Sequence, residues 1–137
     1  MMGWLFLLAA AATDFGASPL VQAGHAHRWA IAQEDDGLTG WIDEAWRAET
    51  VIDGVRYVQV LIRTEVNQGD QIVADTIAAV DCKTRQIGMQ KVRIIQSVNG
   101  SFDVPVAKLE MEDANPEQDP GDGKILDLAC GTGSWRK

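Results

Sequence analysis

Residues 55–66 read VRYVQVLIRTEV, and this stretch decides the fold class. Its β-branched residues stand at alternating positions. Val58, Val60 and Ile62 share one side, continued by Arg56 and Thr64, while Tyr57, Gln59, Leu61 and Arg63 share the other. Side chains of an extended chain alternate between faces, so a period of two predicts a strand. The turn signal Ile52-Asp53-Gly54 precedes it and Asn67-Gln68-Gly69-Asp70 follows. A strand between two tight turns belongs to an antiparallel meander.

The neighbouring stretches extend the pattern. Residues 72–82 alternate again, with Val73, Asp75, Ile77, Ala79 and Asp81 on one face. Ile72, Ala74, Thr76, Ala78, Val80 and Cys82 form the other, cleaner face, which is expected to turn Cys82 toward the core. Residues 85–98 predict a further strand closed by Asn99-Gly100, and residues 101–106 a brief return. Upstream, residues 28–32 predict a strand ending at the turn Glu34-Asp35-Asp36-Gly37. Residues 39–50 carry Trp41, Ile42 and Trp46 without a clean period and are read as a strand, although Glu44 to Glu49 would also suit a helix. Residues 110–123 are acidic and rich in Pro, Gly and Asn, and read as a loop. Residues 124–130 then predict a short helix, capped by Asp122 or Gly123 and ended by Gly131.

The expected fold is therefore α+β: an antiparallel sheet of five or six strands with one short C-terminal helix. The turns are too short for the crossovers a parallel sheet needs. A one-sided sheet must bury its apolar face, so the helix is expected to lie on that face.

With 137 residues, 46% hydrophobic and 23% charged, the chain suits one globular domain. The net charge of −8 opposes binding to nucleic acid or to anionic lipid, since both need clustered cations. The apolar run from Trp4 to Ala12 is too short to span a bilayer and resembles the core of a secretory signal. Residues 1–23 are read as that signal and residues 24–137 as the single domain; cuts after Ala23 and after Ala26 both fit the small-residue rule. No Lys or Arg precedes the run, and Asp14 interrupts the stretch between run and cut site. Cys82 and Cys130 are the only cysteines and lack a Cys-x-x-Cys spacing. In an exported chain they predict one disulfide pinning the helix to the sheet; in a reducing compartment they would be two buried thiols.

Trp29, Asp43, Val80-Asp81-Cys82, Arg85 and the late Cys130 together resemble the surface-adhesin protein E family of secreted proteins from Gram-negative bacteria. The resemblance spans about Trp29 to Cys130. It implies an antiparallel sheet with a disulfide-tethered C-terminal helix and a non-enzymatic, adhesin-like binding role at the periplasm or cell surface. Of the family's features only the pair Cys82 and Cys130 carries over residue by residue; the ligand or protein partner does not.

Other motifs carry less. Residues 125–133, ILDLACGTG, match the glycine-rich motif of S-adenosylmethionine-dependent methyltransferases, but only four residues follow and hairpins precede it. A truncated methyltransferase is the alternative function, and a subunit of an envelope assembly another. Asp113, Asn115 and Glu117 alternate like a calcium loop, yet Gln118 and Lys124 stand where its Gly and Glu belong. His25 and His27 are the only histidines and are read as part of a flexible linker; two ligands make a poor metal site without a third. No nucleophile has a visible base partner, and the Glu34–Asp36 pair lies in a turn where burial cannot tune it. Trp29, Trp41 and Trp46 are read as core before a binding platform. No catalytic residue, cofactor or metal is expected.

Overall fold

A computed structural model describes residues 15–69 and 71–131. Among these residues the chain forms β1 (Trp29–Asp35), β2 (Leu38–Ile52), β3 (Val55–Val66), β4 (Ile72–Asp81), β5 (Gln86–Gln96), β6 (Phe102–Val104), β7 (Glu112–Asp113) and α1 (Pro120–Cys130). The sheet runs in the order β1-β2-β3-β4-β5-β6, with β7 also on β5. Every pairing is antiparallel. The α+β meander with a C-terminal helix expected from the alternating stretches is the fold observed.

Local chemistry sets the registers. Ile52 pairs with Val55, so Asp53-Gly54 forms a two-residue turn, and both adopt positive φ, 50° and 80°. That is the backbone a tight hairpin between twisted strands requires. The uneven period of residues 39–50 also has a cause. Ile42 opposes Ile62, but the next pair is Arg47 with Val60, so Asp43 to Trp46 bulge out of β2 opposite a single residue of β3.

One face of the sheet packs on the helix. Ile42, Val58, Val60, Ala78 and Val80 meet Ile125, Leu126 and Ala129. The helix starts at Pro120, four residues before the predicted Lys124, with Asp119 at its N-cap. Proline pre-sets the first helical φ and has no amide to leave unpaired, so Pro120, within the stretch read as a loop, begins the helix instead. At the other end, Arg47 Nε and Nη2 donate to Ala129 O at 3.3 and 2.9 Å, covering a terminal carbonyl. Residues 110–123 are not all loop, since Glu112–Asp113 pairs with Gln86–Ile87 as β7. The segment crosses β5 closely: a Cβ on Gly88 would lie 2.6 Å from Glu110 O.

Cys82 and Cys130 are bonded, Cα to Cα 5.7 Å. Cys82 does not point into the core. It lies in the turn just past β4 and is exposed, so the bridge runs along the rim between sheet and helix. The sheet is also not one-sided. On the face away from the helix, Val73, Asp75, Ile77 and Ala79 are at most 3% exposed. The described segment ahead of β1 lies on this face, with Ser18 buried and Gly16 O accepting from Arg63 Nη1 at 3.0 Å. The apolar run Trp4–Ala12 and the last residues of the glycine-rich motif lie outside the described residues. No helix among the described residues is long and apolar enough to cross a membrane.

The bridge closes a 48-residue separation, for which loop entropy gives an upper figure of about 4 kcal/mol. Replacing both cysteines with serine is expected to lower the unfolding free energy by about 2–4 kcal/mol in urea titrations. A loss below about 1 kcal/mol would mean that the apolar face of α1 alone holds it.

Candidate functional site

The face away from the helix gathers the charged and aromatic groups. Side chains two apart share a face of an extended chain. His25, His27 and Trp29 obey that rule and form a ladder. His27 stacks on Trp29 at 4.9 Å between centroids and 22° between planes, and His25 meets His27 edge-on at 4.8 Å. Arg63 continues the ladder, its guanidinium carbon 4.8 Å from the Trp29 centroid. A cation over an indole face is attracted by the ring quadrupole.

Register brings the rest together. Trp41, Arg63, Asp75, Arg93 and Asp103 stand opposite one another on successive strands, so they form one row across the sheet. Arg63 Nε and Nη2 donate to the two oxygens of Asp75 at 2.7 and 2.9 Å, and both side chains are fully buried. A planar guanidinium matches a carboxylate in this two-bonded way, which suits burial of the pair. Arg93 Nη1 donates to Asp103 at 2.8 Å nearer the surface.

Asp43 is the most heavily bonded carboxylate of the site. Its Oδ1 accepts the amides of Arg28 and Ala45, each at 2.9 Å. Its Oδ2 lies 2.8 Å from His25 Nε2 and 2.7 Å from His27 Nδ1. Asp43 is fully buried, while His25 and His27 keep 10% and 8% side-chain exposure. Burial would raise the Asp43 pKa, but the Arg28 amide, the His27 ring, the Ala45 amide and the His25 ring outweigh it and hold the carboxyl below its ordinary value. The Ser18 amide donates to His27 Nε2 at 3.0 Å. An amide can only donate, so Nε2 accepts, and His27 carries its ring proton on Nδ1, directed at Asp43.

His25, His27 and Asp43 therefore offer one ligand atom each, all within 4.8 Å of one another. Two imidazoles and a carboxylate suit a transition metal, and the amides on Asp43 Oδ1 fix the carboxylate as an outer-shell group would. Without a metal the same atoms form a hydrogen-bonded knot that ties the segment before β1 to the bulge of β2.

The histidines do not lie in a flexible linker, because Asp43 fixes both. Asp43 is the third group that sequence reading missed as their partner. The alternation running back from Trp29 to His27 and His25 was present in the sequence, whereas the register that sets Trp29 opposite Asp43 appears only in the fold. Trp41 is core at 5% exposure, Trp29 belongs to the ladder, and Trp46 Nε1 donates to Gln22 at 3.4 Å. Glu34 and Asp36 are exposed, as are Asp113, Asn115 and Glu117. Asn115 builds a turn, its amide donating to Asp122 Oδ2 at 2.8 Å. Comparisons with protein-family models, curated proteins and solved structures find no match.

Two outcomes follow for stability. Removing one partner of a buried pair leaves an uncompensated charge, so Asp75→Ala is expected to destabilise by about 3–5 kcal/mol. Replacing Arg63 and Asp75 together with leucine should cost clearly less, and equal losses in urea unfolding would refute the pairing argument. The lowered Asp43 value means that the folded state binds its proton less readily than the unfolded chain. Its contribution is present above the unfolded value, about pH 4, and is lost as pH falls through the lower folded value. The stability gap between the wild type and Asp43→Asn should therefore narrow on acidification below about pH 4.

Proposed function

We propose that the chain is an exported, non-enzymatic binding protein of the periplasm or cell surface, with an adhesin-like fold. The observation that supports this most is the bond between Cys82 and Cys130, since a structural disulfide is compatible with an oxidising compartment. The resemblance to the surface-adhesin protein E family agrees with the disulfide-tethered helix on an antiparallel sheet. Export follows from reading residues 1–23 as a signal. The binding role belongs to the face that carries the His25–His27–Asp43 cluster, because charged and aromatic groups converge there.

The methyltransferase alternative gains no support from the local structure. Ile125 to Cys130 lie on α1, whereas that motif needs a strand running into its glycine-rich turn. Cys130 is also engaged in the disulfide.

Intact mass spectrometry of the protein from its native host, before and after reduction, tests the proposal. The expected mass starts at Gly24 or His27 and is about 2 Da lower before reduction, for the two hydrogens lost in one bridge. A full-length mass with two free thiols would overturn it.

A further inference from the structure

We propose that His25 Nε2, His27 Nδ1 and Asp43 Oδ2 form a binding site for a divalent transition metal such as Zn²⁺, and that filling it releases the Ser18 segment from His27. The inference deepens the binding reading above and rests on it, naming the ligand of the same face.

Three observations carry it. The three ligand atoms already converge, with Oδ2 shared by both rings at 2.7 and 2.8 Å. A tetrahedral zinc site with bonds of about 2.0–2.1 Å needs ligands about 3.3 Å apart, so each N–O separation opens by about half an ångström while the two ring nitrogens, within 4.8 Å of each other, draw together. Asp43 is locked from behind by the Arg28 and Ala45 amides, which leaves Oδ2 free to exchange its two ring donors for one cation. Both rings keep some exposure, so a fourth position opens to water.

In the present arrangement His27 Nδ1 holds the ring proton, because Nε2 accepts from the Ser18 amide. A metal needs the lone pair of Nδ1. A neutral ring then carries its proton on Nε2, and two N–H groups would face each other at the Ser18 contact. The metal and the Ser18 amide therefore exclude one another at His27. One hydrogen bond is a weak competitor against a three-ligand metal site. The metal wins, and the segment carrying Ser18 gives up this contact. Cleavage after Ala23 would have the same effect by removing Ser18 while leaving all three ligands; cleavage after Ala26 would remove His25.

Calorimetric titration of Zn²⁺ into the untagged, disulfide-bonded full chain is the test. One Zn²⁺ per chain is expected. His27→Gln and His25→Gln should each weaken binding by more than about a hundredfold, beyond the usual effect of losing an outer-shell group. Ser18→Pro deletes the competing amide and should tighten binding by about tenfold, the worth of one hydrogen bond. If a histidine variant does not fold, Co²⁺ added to the unmutated protein gives a second reading, visible absorption of the low-coordinate ion. Absence of Zn²⁺ heat and of Co²⁺ absorption, or binding unchanged in both histidine variants, would overturn the site. Unchanged or weaker binding by Ser18→Pro would overturn the coupling. Neither result depends on the mass that tests export, so failure of the metal site and failure of the export reading are separable.

Discussion

The fully buried carboxylate of Asp43 accepts two backbone amides on one oxygen and meets two imidazoles on the other. Most of what distinguishes this sheet from a plain meander depends on it. The amide bonds hold the bulge of β2, where four residues face one on β3. The ring contacts draw the segment ahead of β1 across the sheet. That segment in turn orders His27 over Trp29, and Trp29 under Arg63. A buried carboxylate without such partners would be strongly unfavourable, so the bulge, the ladder and the N-terminal segment stand or fall together.

The sheet thus has two interiors of different chemistry. Toward α1 the contacts are aliphatic and need only shape and volume. On the opposite face the buried groups include Arg63, Asp75 and Asp43, which need exact partners and gain specificity rather than much net stability. The disulfide belongs to the first interior, where it fastens the helix at the rim. The histidine cluster belongs to the second, which is why we propose binding there and not on the helix side.

Much of this fold was legible because antiparallel strands advertise themselves locally. Val55 to Val66 alternates cleanly, and Asp53-Gly54 and Asn99-Gly100 need positive φ at their glycines. The helix and its tether were legible from Ile125, Leu126 and Ala129 at helical spacing and from the cysteine count. The second buried face was not. Asp75 and Arg63 look like solvent-facing charges until register sets them opposite each other, and register across a hairpin is a non-local property. The site was half legible for the same reason. His25 and His27 were visible as possible ligands, but their partner lies 16 to 18 residues away at a bulge that hides its own period.

Asp43 holds His27 in one proton arrangement, and nitrogen NMR of the histidine rings reads that arrangement directly. In the metal-free, uncleaved chain at neutral pH, His27 is expected to carry its proton on Nδ1, with Nε2 unprotonated and accepting from Ser18. A His27 ring protonated on Nε2, or one averaging freely between the two forms as an untethered segment would, would contradict it.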